Sequence, residues 1–277
     1  MIIDFHTHTF PEKVAAAAIP KMQAASHSKA FTAGTVEALR ASMAKAGIDR
    51  SVVLPVATNP LKVSAINDLS IAHLGDEALT YFGCIHPEQP DWKEELCRIA
   101  KAGLKGIKIH PQYQGADIDD IRYLRIFGQA ASLGLWVVTH AGDDIGFPGL
   151  VRCAPEMVQN AIAQVGDFPL ILAHMGGWKN WDRVEQLAET KVYLDTAFSL
   201  GAITPIDDHY TTEELQMLSE ERFCVIVRAF GAERILFGTD SPWGDQQKTL
   251  ESIRALPLTA QEKALILGEN AKNILKL

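Results

Sequence analysis

The chain has 277 residues, of which 47% are hydrophobic and 22% charged, and its formal net charge at pH 7 is −8. This composition is typical of a folded globular protein, and the length does not force a division into two domains. The acidic balance and the lack of any Lys/Arg run argue against nucleic acid and against an anionic membrane surface as partners.

The N-terminus predicts neither export nor a membrane anchor. Asp4, His6 and His8 interrupt the opening apolar run, which a secretory signal would keep continuous. The longest apolar run, VAAAAI, is far shorter than the ~20 residues of a spanning helix. We therefore expect a cytoplasmic protein. No CxxC pair occurs, so we expect reduced, mostly buried thiols and no zinc finger at Cys84, Cys97, Cys153 and Cys224.

Eight short apolar runs, separated by stretches with helical spacing, follow one another along the chain. Their apolarity is continuous rather than alternating, which favours strands covered on both faces, as in a parallel sheet. The runs are MIIDFHTH at residues 1–8, SVVLP at 51–55, TYFGCIH at 80–86, GIKIH at 106–110, LWVVTH at 135–140, PLILAH at 169–174, VYLDT at 192–196 and ILFGTD at 235–240.

The runs recur about every 33 residues, close to the length of one βα unit. Eight such units predict a single (β/α)8 TIM barrel over residues 1–277. A doubly wound open sheet is the alternative, but no glycine-rich phosphate motif follows the first run. The Ala-rich stretch at residues 11–34 is predicted to be a loop or lid over the barrel mouth.

Local signals predict where several helices begin and end. Thr35 is placed to cap a helix that Gly47 would end, with apolar residues on one stripe between them. A capping box, in which a Thr and a Glu satisfy each other's backbone donors, is predicted at Thr211/Glu214 and at Thr259/Glu262.

Histidine is concentrated at the predicted strand ends. Active sites of barrels lie at the carboxyl ends of the strands, where all the following loops meet. A role in filling the core would favour Leu or Val over imidazole, which needs a hydrogen-bond partner when buried. Imidazole and carboxylate are ligands that suit Zn²⁺, so the pattern predicts a metal site. The six histidines at or beside strand ends are His6, His8, His86, His110, His140 and His174.

The opening HTH motif fits this interpretation. On a strand, alternate side chains share a face, so His6 and His8 converge on one side together with Asp4. An isolated HxH pair is common and weak by itself, and its weight comes from the other histidines.

Taken together, the motifs resemble the amidohydrolase superfamily, in its amidohydrolase-related branch. They are DFHTH on the first strand, THAG after the fifth, LAHMGG after the sixth, VYLDTA on the seventh, ILFGTDSPW on the eighth and LGENAKNIL in the last helix. That branch includes metal-dependent hydrolases, non-oxidative decarboxylases such as aminocarboxymuconate-semialdehyde decarboxylase, and hydratases. The resemblance implies a metal-dependent barrel enzyme.

Carried over residue by residue, the resemblance implies that His6, His8, His140 and Asp240 hold one divalent ion, with zinc expected. His174 would then act as an acid or base beside Asp240. The alternative is a second ion held by Lys108, carboxylated by CO₂ in two-metal relatives, together with His140 and His174. Asp195 and His110 are the candidate substrate-binding residues, with a loop cap and a contact within the barrel as their respective alternatives.

We expect hydrolysis of an ester, lactone or amide of a small molecule, because a metal ion lowers the pKa of bound water towards ~7. The alternative is decarboxylation or hydration of an unsaturated or aromatic acid by the same metal set. A non-catalytic barrel is the third hypothesis, and the intact ligand set counts against it. Specificity is expected in the loops at residues 11–34 and 197–212. Barrels of this size often form homodimers, which is the assembly we expect here.

Overall fold

The computed structural model describes residues 1–277, and each of the eight apolar runs contains a strand. The third run is divided at Phe82 into two short strands, which gives nine in all. The strands are β1 (Ile3–Thr7), β2 (Arg50–Val53), β3 (Leu79–Tyr81), β4 (Gly83–Cys84), β5 (Gly106–Ile109), β6 (Trp136–Thr139), β7 (Leu170–Leu172), β8 (Tyr193–Asp195) and β9 (Ile235–Leu236).

The chain forms two units that are described separately. The first comprises residues 1–51 and 195–277, and the second comprises residues 52–194. The boundaries fall inside β2 and at the last residue of β8. The single domain over residues 1–277 stays a prediction.

In the first unit, β1 provides the buried strand, and all five of its residues are buried. Its Phe5 amide donates to the Phe237 carbonyl after β9 (2.7 Å), and the Thr196 amide donates to the Leu236 carbonyl (2.9 Å). The helices of this unit are α1 (Glu12–Ser26), α2 (Val36–Ala46), α8 (Thr212–Leu215), α9 (Glu220–Phe230), α10 (Gln246–Ala255), α11 (Ala260–Ala264) and α12 (Asn270–Leu275).

In the second unit, β4 to β8 pair in chain order, and every pair is parallel. Lys108 on β5 lies opposite Cys84 on one side and Val138 on the other. Every residue of β4, β5 and β7 is buried, as expected for a parallel sheet covered on both faces. The helices of this unit are α3 (Val63–Ala72), α4 (Trp92–Ala102), α5 (Pro111–Gln114), α6 (Ile121–Ser132) and α7 (Pro155–Val165).

The predicted helix ends are confirmed. The Thr35 side chain accepts a hydrogen bond from the Ala38 amide (3.2 Å), and Gly47 ends α2 in the left-handed conformation (φ 72°). Both predicted capping boxes, at Thr211/Glu214 and Thr259/Glu262, are formed. These features depend on residues three or four apart, which is why sequence alone locates them.

The prediction of a loop at residues 11–34 was wrong for its first half, because α1 occupies Glu12–Ser26. Four consecutive alanines give this segment high helix propensity. Its second half is irregular and contacts the loop after β8: the Lys29 amide donates to the Thr204 carbonyl (2.8 Å), and the rings of His27 and His209 stack at 3.7 Å. The two segments expected to set specificity are therefore in contact.

The cysteines are unpaired, as predicted. Cys84, Cys153 and Cys224 are buried, and Cys97 is exposed. Burial raises the pKa of the Cys153 thiol to about 12, so this thiol is protonated at neutral pH. None of the helices is long and apolar enough to cross a membrane.

Candidate metal centre

Three candidate ligands converge at the end of β1. The Nε2 atoms of His6 and His8 lie 3.2 Å apart. The Asp240 Oδ1 atom lies 3.1 Å from the His8 Nε2 and 3.4 Å from the His6 Nε2. His6 and Asp240 are buried and His8 is partly exposed, so the cluster is accessible on the His8 side.

These separations fit one divalent ion. Bonds of about 2.0–2.1 Å at angles between about 90° and 109° place ligand atoms about 2.8–3.4 Å apart. All three measured separations lie between 3.1 and 3.4 Å. Two imidazole nitrogens and a carboxylate oxygen are also a donor set suited to Zn²⁺, Mn²⁺ and related ions.

Asp195 fixes the orientation of the His6 ring. Its Oδ2 lies 2.8 Å from the His6 Nδ1, and its Oδ1 accepts a hydrogen bond from the Ala197 amide (3.0 Å). A proton on Nδ1 leaves the lone pair of Nε2 available for an ion, which is the usual pairing of a carboxylate with a metal-binding histidine. A role for Asp195 in substrate binding stays a prediction.

Backbone hydrogen bonds connect β1 to the segment that carries Asp240. The Asp240 amide donates to the His6 carbonyl (2.8 Å), and the His8 amide donates to the Ser241 carbonyl (2.7 Å). Asp240 adopts a left-handed backbone (φ 63°), which is uncommon for a residue with a side chain. Such conformations persist where their surroundings hold them, and they often occur at functional sites.

Asp4 lies on β1, two residues before His6, and is fully buried. Burial raises the pKa of its carboxyl to about 7, against the opposing effect of hydrogen bonds from Gln246, Thr239 and the His6 backbone. The prediction that Asp4 shares a strand face with the histidines did not anticipate these partners.

A second cluster lies in the second unit, around His140. The Nδ1 of His140 is 3.0 Å from the Nε2 of His174, and its Nε2 is 2.8 Å from the Asp143 carbonyl oxygen. The His110 ring stacks on the His140 ring at 4.2 Å. The carbonyl contact requires a proton on the His140 Nε2, so Nδ1 accepts from His174.

Burial holds the pKa of His140 well below its usual range, and repulsion from His110 and His174 acts in the same direction. This imidazole is therefore neutral at pH 7, as a metal ligand must be. For His140 to bind an ion, one of its two nitrogen atoms must exchange its present partner.

Asp144 is the member of this cluster that sequence reasoning missed. It lies on the loop after β6, and its Oδ2 lies 3.3 Å from the His110 Nε2 and 3.8 Å from the His140 Nε2. His110, His140 and Asp144 form the second group whose ligand atoms are close enough to hold an ion. The sequence signal was the pair of aspartates directly after THAG.

The predicted ligand set is thus only partly assembled within one unit. His6, His8 and Asp240 lie together, whereas His140 contacts His110 and His174 in the second unit. The four-ligand set stays a prediction. The second ion also stays a prediction, although Lys108 is buried on β5 and contributes to lowering the pKa of His140.

The chain matches one known protein family along nearly its whole length. The family model described as amidohydrolase matches residues 3–277. No curated protein matches the chain significantly.

Solved structures align with essentially the whole chain. One is a 5-carboxyvanillate decarboxylase of Sphingomonas paucimobilis, with 16% identity, a TM-score of 0.72 and coverage of 100% of this chain and 99% of that one. Another is an uncharacterised TIM-barrel protein of Bordetella bronchiseptica, with 17% identity, a TM-score of 0.73 and coverage of 99% and 98%.

A third similar structure is a 5-carboxyvanillate decarboxylase of Novosphingobium aromaticivorans, complexed with manganese and 4-hydroxy-3-methoxy-5-nitrobenzoic acid. It shares 14% identity, with a TM-score of 0.70 and coverage of 100% of this chain and 96% of that one. At these identities the likeness shows the fold, which is the predicted α/β barrel. The family match along nearly the whole length shows that this chain belongs to the amidohydrolase family.

Proposed function

We propose that this chain is a metal-dependent lyase that decarboxylates a hydroxylated aromatic or unsaturated carboxylic acid. The sequence predicts hydrolysis, with decarboxylation as the alternative. Two of the three similar structures described above are decarboxylases of a carboxylated aromatic compound, and one of them contains manganese. These relatives favour the alternative reaction within the same family.

The observation that carries the proposal is the convergence of His6, His8 and Asp240 on one point, with His6 oriented by Asp195. A divalent ion held there would supply positive charge to the carboxylate and a neighbouring oxygen of the substrate. His140 is the proposed fourth ligand, carried over from the resemblance. Zinc and manganese both suit this donor set.

Decarboxylation places simple demands on the protein. The bond from the ring or vinyl carbon to the carboxylate breaks, CO₂ leaves, and a proton takes its place on that carbon. No oxidant or reductant is needed. We assign this proton transfer to Asp240 and His174. His174 would deliver the proton as an imidazolium, return to the neutral ring whose Nε2 contacts His140, and regain a proton from water. His110 remains the proposed substrate contact, whereas the contact of Asp195 with His6 favours an orienting role over the predicted substrate contact.

The experiment compares two substrate panels on protein loaded with zinc or with manganese. One panel contains 5-carboxyvanillate, hydroxybenzoates and muconate-type acids, and CO₂ release is measured. The other contains lactones, esters and amides, and hydrolysis is measured. We expect CO₂ release from the first panel and its loss in Asp240→Asn. The matched control is Asp68→Asn, which removes an exposed carboxylate paired with Arg98.

Hydrolysis in the absence of CO₂ release would overturn the proposal and support the prediction of a metal-dependent hydrolase. Activity on neither panel, together with no bound metal, would favour a non-catalytic barrel. A homodimer stays a prediction that light scattering after gel filtration would test.

A further inference from the structure

We infer that Asp4 is a positioning residue that holds His6 and Asp240 in their ligand geometry. The inference rests on the proposed metal centre. Asp4 contacts neither the substrate nor the ion in this proposal, and it acts through Thr239 and through the backbone of β1.

All four acceptor positions of the Asp4 carboxylate are used. Its Oδ1 accepts from the His6 amide (3.2 Å) and the Thr239 amide (3.0 Å). Its Oδ2 accepts from the Thr239 hydroxyl (2.5 Å) and from the Gln246 Nε2 (2.7 Å). A carboxylate has about four such positions, so each donor has its own acceptor.

Asparagine cannot reproduce this pattern. Backbone amides approach Oδ1, and the Gln246 side-chain amide approaches Oδ2. An NH₂ group at the Oδ1 position would face two backbone amides that cannot turn away. At the Oδ2 position it would require the Gln246 amide to flip and the Thr239 hydroxyl to give up the hydrogen bond that it donates. The Thr239 hydroxyl is also committed, because it accepts from the Ser241 amide (3.2 Å) while it donates to Asp4.

Hydrogen bonds that lead to Asp4 hold the residues on both sides of Asp240. Thr239 precedes it and bonds Asp4 through both its amide and its hydroxyl. Ser241 follows it and bonds the same hydroxyl. The left-handed backbone of Asp240 (φ 63°) is thus fixed on both sides by a network that ends at Asp4. The same carboxylate holds the His6 amide, so one group sets the relative position of two candidate ligands.

A purely structural role would look different. Glu95, another buried carboxylate, is bonded by the cation Arg98 as well as by Asn67, and its network holds the backbone of Cys84 through Asn67. The hydrogen-bond partners of Asp4 are neutral, and they lie next to the candidate ligands. Burying a carboxylate without a cation is unfavourable, so its benefit should be sought in what it positions.

The test measures metal affinity separately from folding. Zn²⁺ affinity of the apo protein is obtained by competition with a chromophoric chelator, and the unfolding midpoint of the apo protein in urea is measured alongside. For Asp4→Asn we expect affinity to fall about 10- to 100-fold, as for other groups that orient ligands. For the control Glu95→Gln we expect a lower unfolding midpoint with unchanged Zn²⁺ affinity.

Thr239 provides a second route should Asp4→Asn fail to fold. Thr239→Val removes the bridging hydroxyl at nearly the same size and should weaken Zn²⁺ binding, whereas Thr239→Ser keeps the hydroxyl and should restore it. The double variant with Asp4→Asn should lose no more affinity than the weaker-binding single variant, because both act through one network.

If Thr239→Val and a folded Asp4→Asn both bind Zn²⁺ with wild-type affinity, the inference about Asp4 is overturned and the proposed metal centre is not. Failure of the wild-type protein to bind Zn²⁺ or Mn²⁺ would overturn the proposed metal centre as well, so the two failures are distinguishable.

Discussion

His6 and Asp195 lie 189 residues apart in the chain, and the His6 Nδ1 is 2.8 Å from the Asp195 Oδ2. Both side chains are buried, so this pair is protected from water. It sets the tautomer of His6 and directs the Nε2 atom towards His8 and Asp240. The candidate metal centre therefore depends on a residue that was predicted to bind substrate.

Asp195→Ala should weaken metal binding about 10- to 100-fold, because the His6 ring would lose the partner that fixes its tautomer. The measurement is a chelator competition with Zn²⁺, and metal saturation should restore most of the proposed decarboxylase activity. If Asp195 acts on substrate instead, Zn²⁺ affinity will be unchanged and the loss of activity will persist at saturating metal.

The carboxyl of Glu95 predicts a pH dependence of stability. Although burial raises its pKa, hydrogen bonds from Arg98 and Asn67 outweigh this effect and lower the pKa below its usual value. A lowered native pKa means that the stabilisation is present above the unfolded pKa of about 4.3 and is lost as the pH falls through the native pKa.

Glu95→Gln should therefore reduce the free energy of unfolding at pH 7 by about 1–3 kcal/mol, the cost of leaving buried donors unsatisfied. The difference between variant and wild type should shrink as the pH is lowered from 6 to 3. Urea unfolding at several pH values measures it, and a difference that stays constant over this range would contradict the prediction.

Gly176 lies two residues after His174 and has a positive φ of 83°. A Cβ at this position would collide with the side chain of Val184. Gly176→Ala combines backbone strain with this clash, so we expect a loss of more than about 2 kcal/mol. Gly134→Ala is the matched control, because its φ is 67° and a Cβ would meet nothing within 4 Å.

Urea unfolding of the two glycine variants separates the two effects. Gly134→Ala should lose only about 1 kcal/mol, the cost of the backbone conformation. Equal losses in both variants would mean that the packing against Val184 contributes nothing.

Features that depend on neighbouring residues were predictable from the sequence. Each apolar run contains a strand, and the caps at Thr35, Thr211 and Thr259 involve partners three residues away. The convergence of His6 and His8 also follows from strand geometry. Asp240 required the resemblance to a family, because no local pattern links it to β1.

Features that depend on the folded backbone were not predictable. The helix α1 is a different case, because its four consecutive alanines are a local signal for a helix, offset by Pro20 and by little amphipathic pattern. Asp144 reaches His110 only because the loop after β6 folds back, with its Oδ1 accepting from the Gly146 amide (2.7 Å). The contacts of Asp4 with Thr239 and Gln246 join residues more than 230 positions apart.

The most direct test of the metal centre is the metal content per chain, measured by elemental analysis on protein purified without chelators. Asp240→Asn and Lys108→Ala are analysed in parallel. We predict close to one divalent ion per wild-type chain, lost in Asp240→Asn and kept in Lys108→Ala. Two ions that fall in number when Lys108 is removed, or one ion that survives Asp240→Asn, would contradict a single centre at His6, His8 and Asp240.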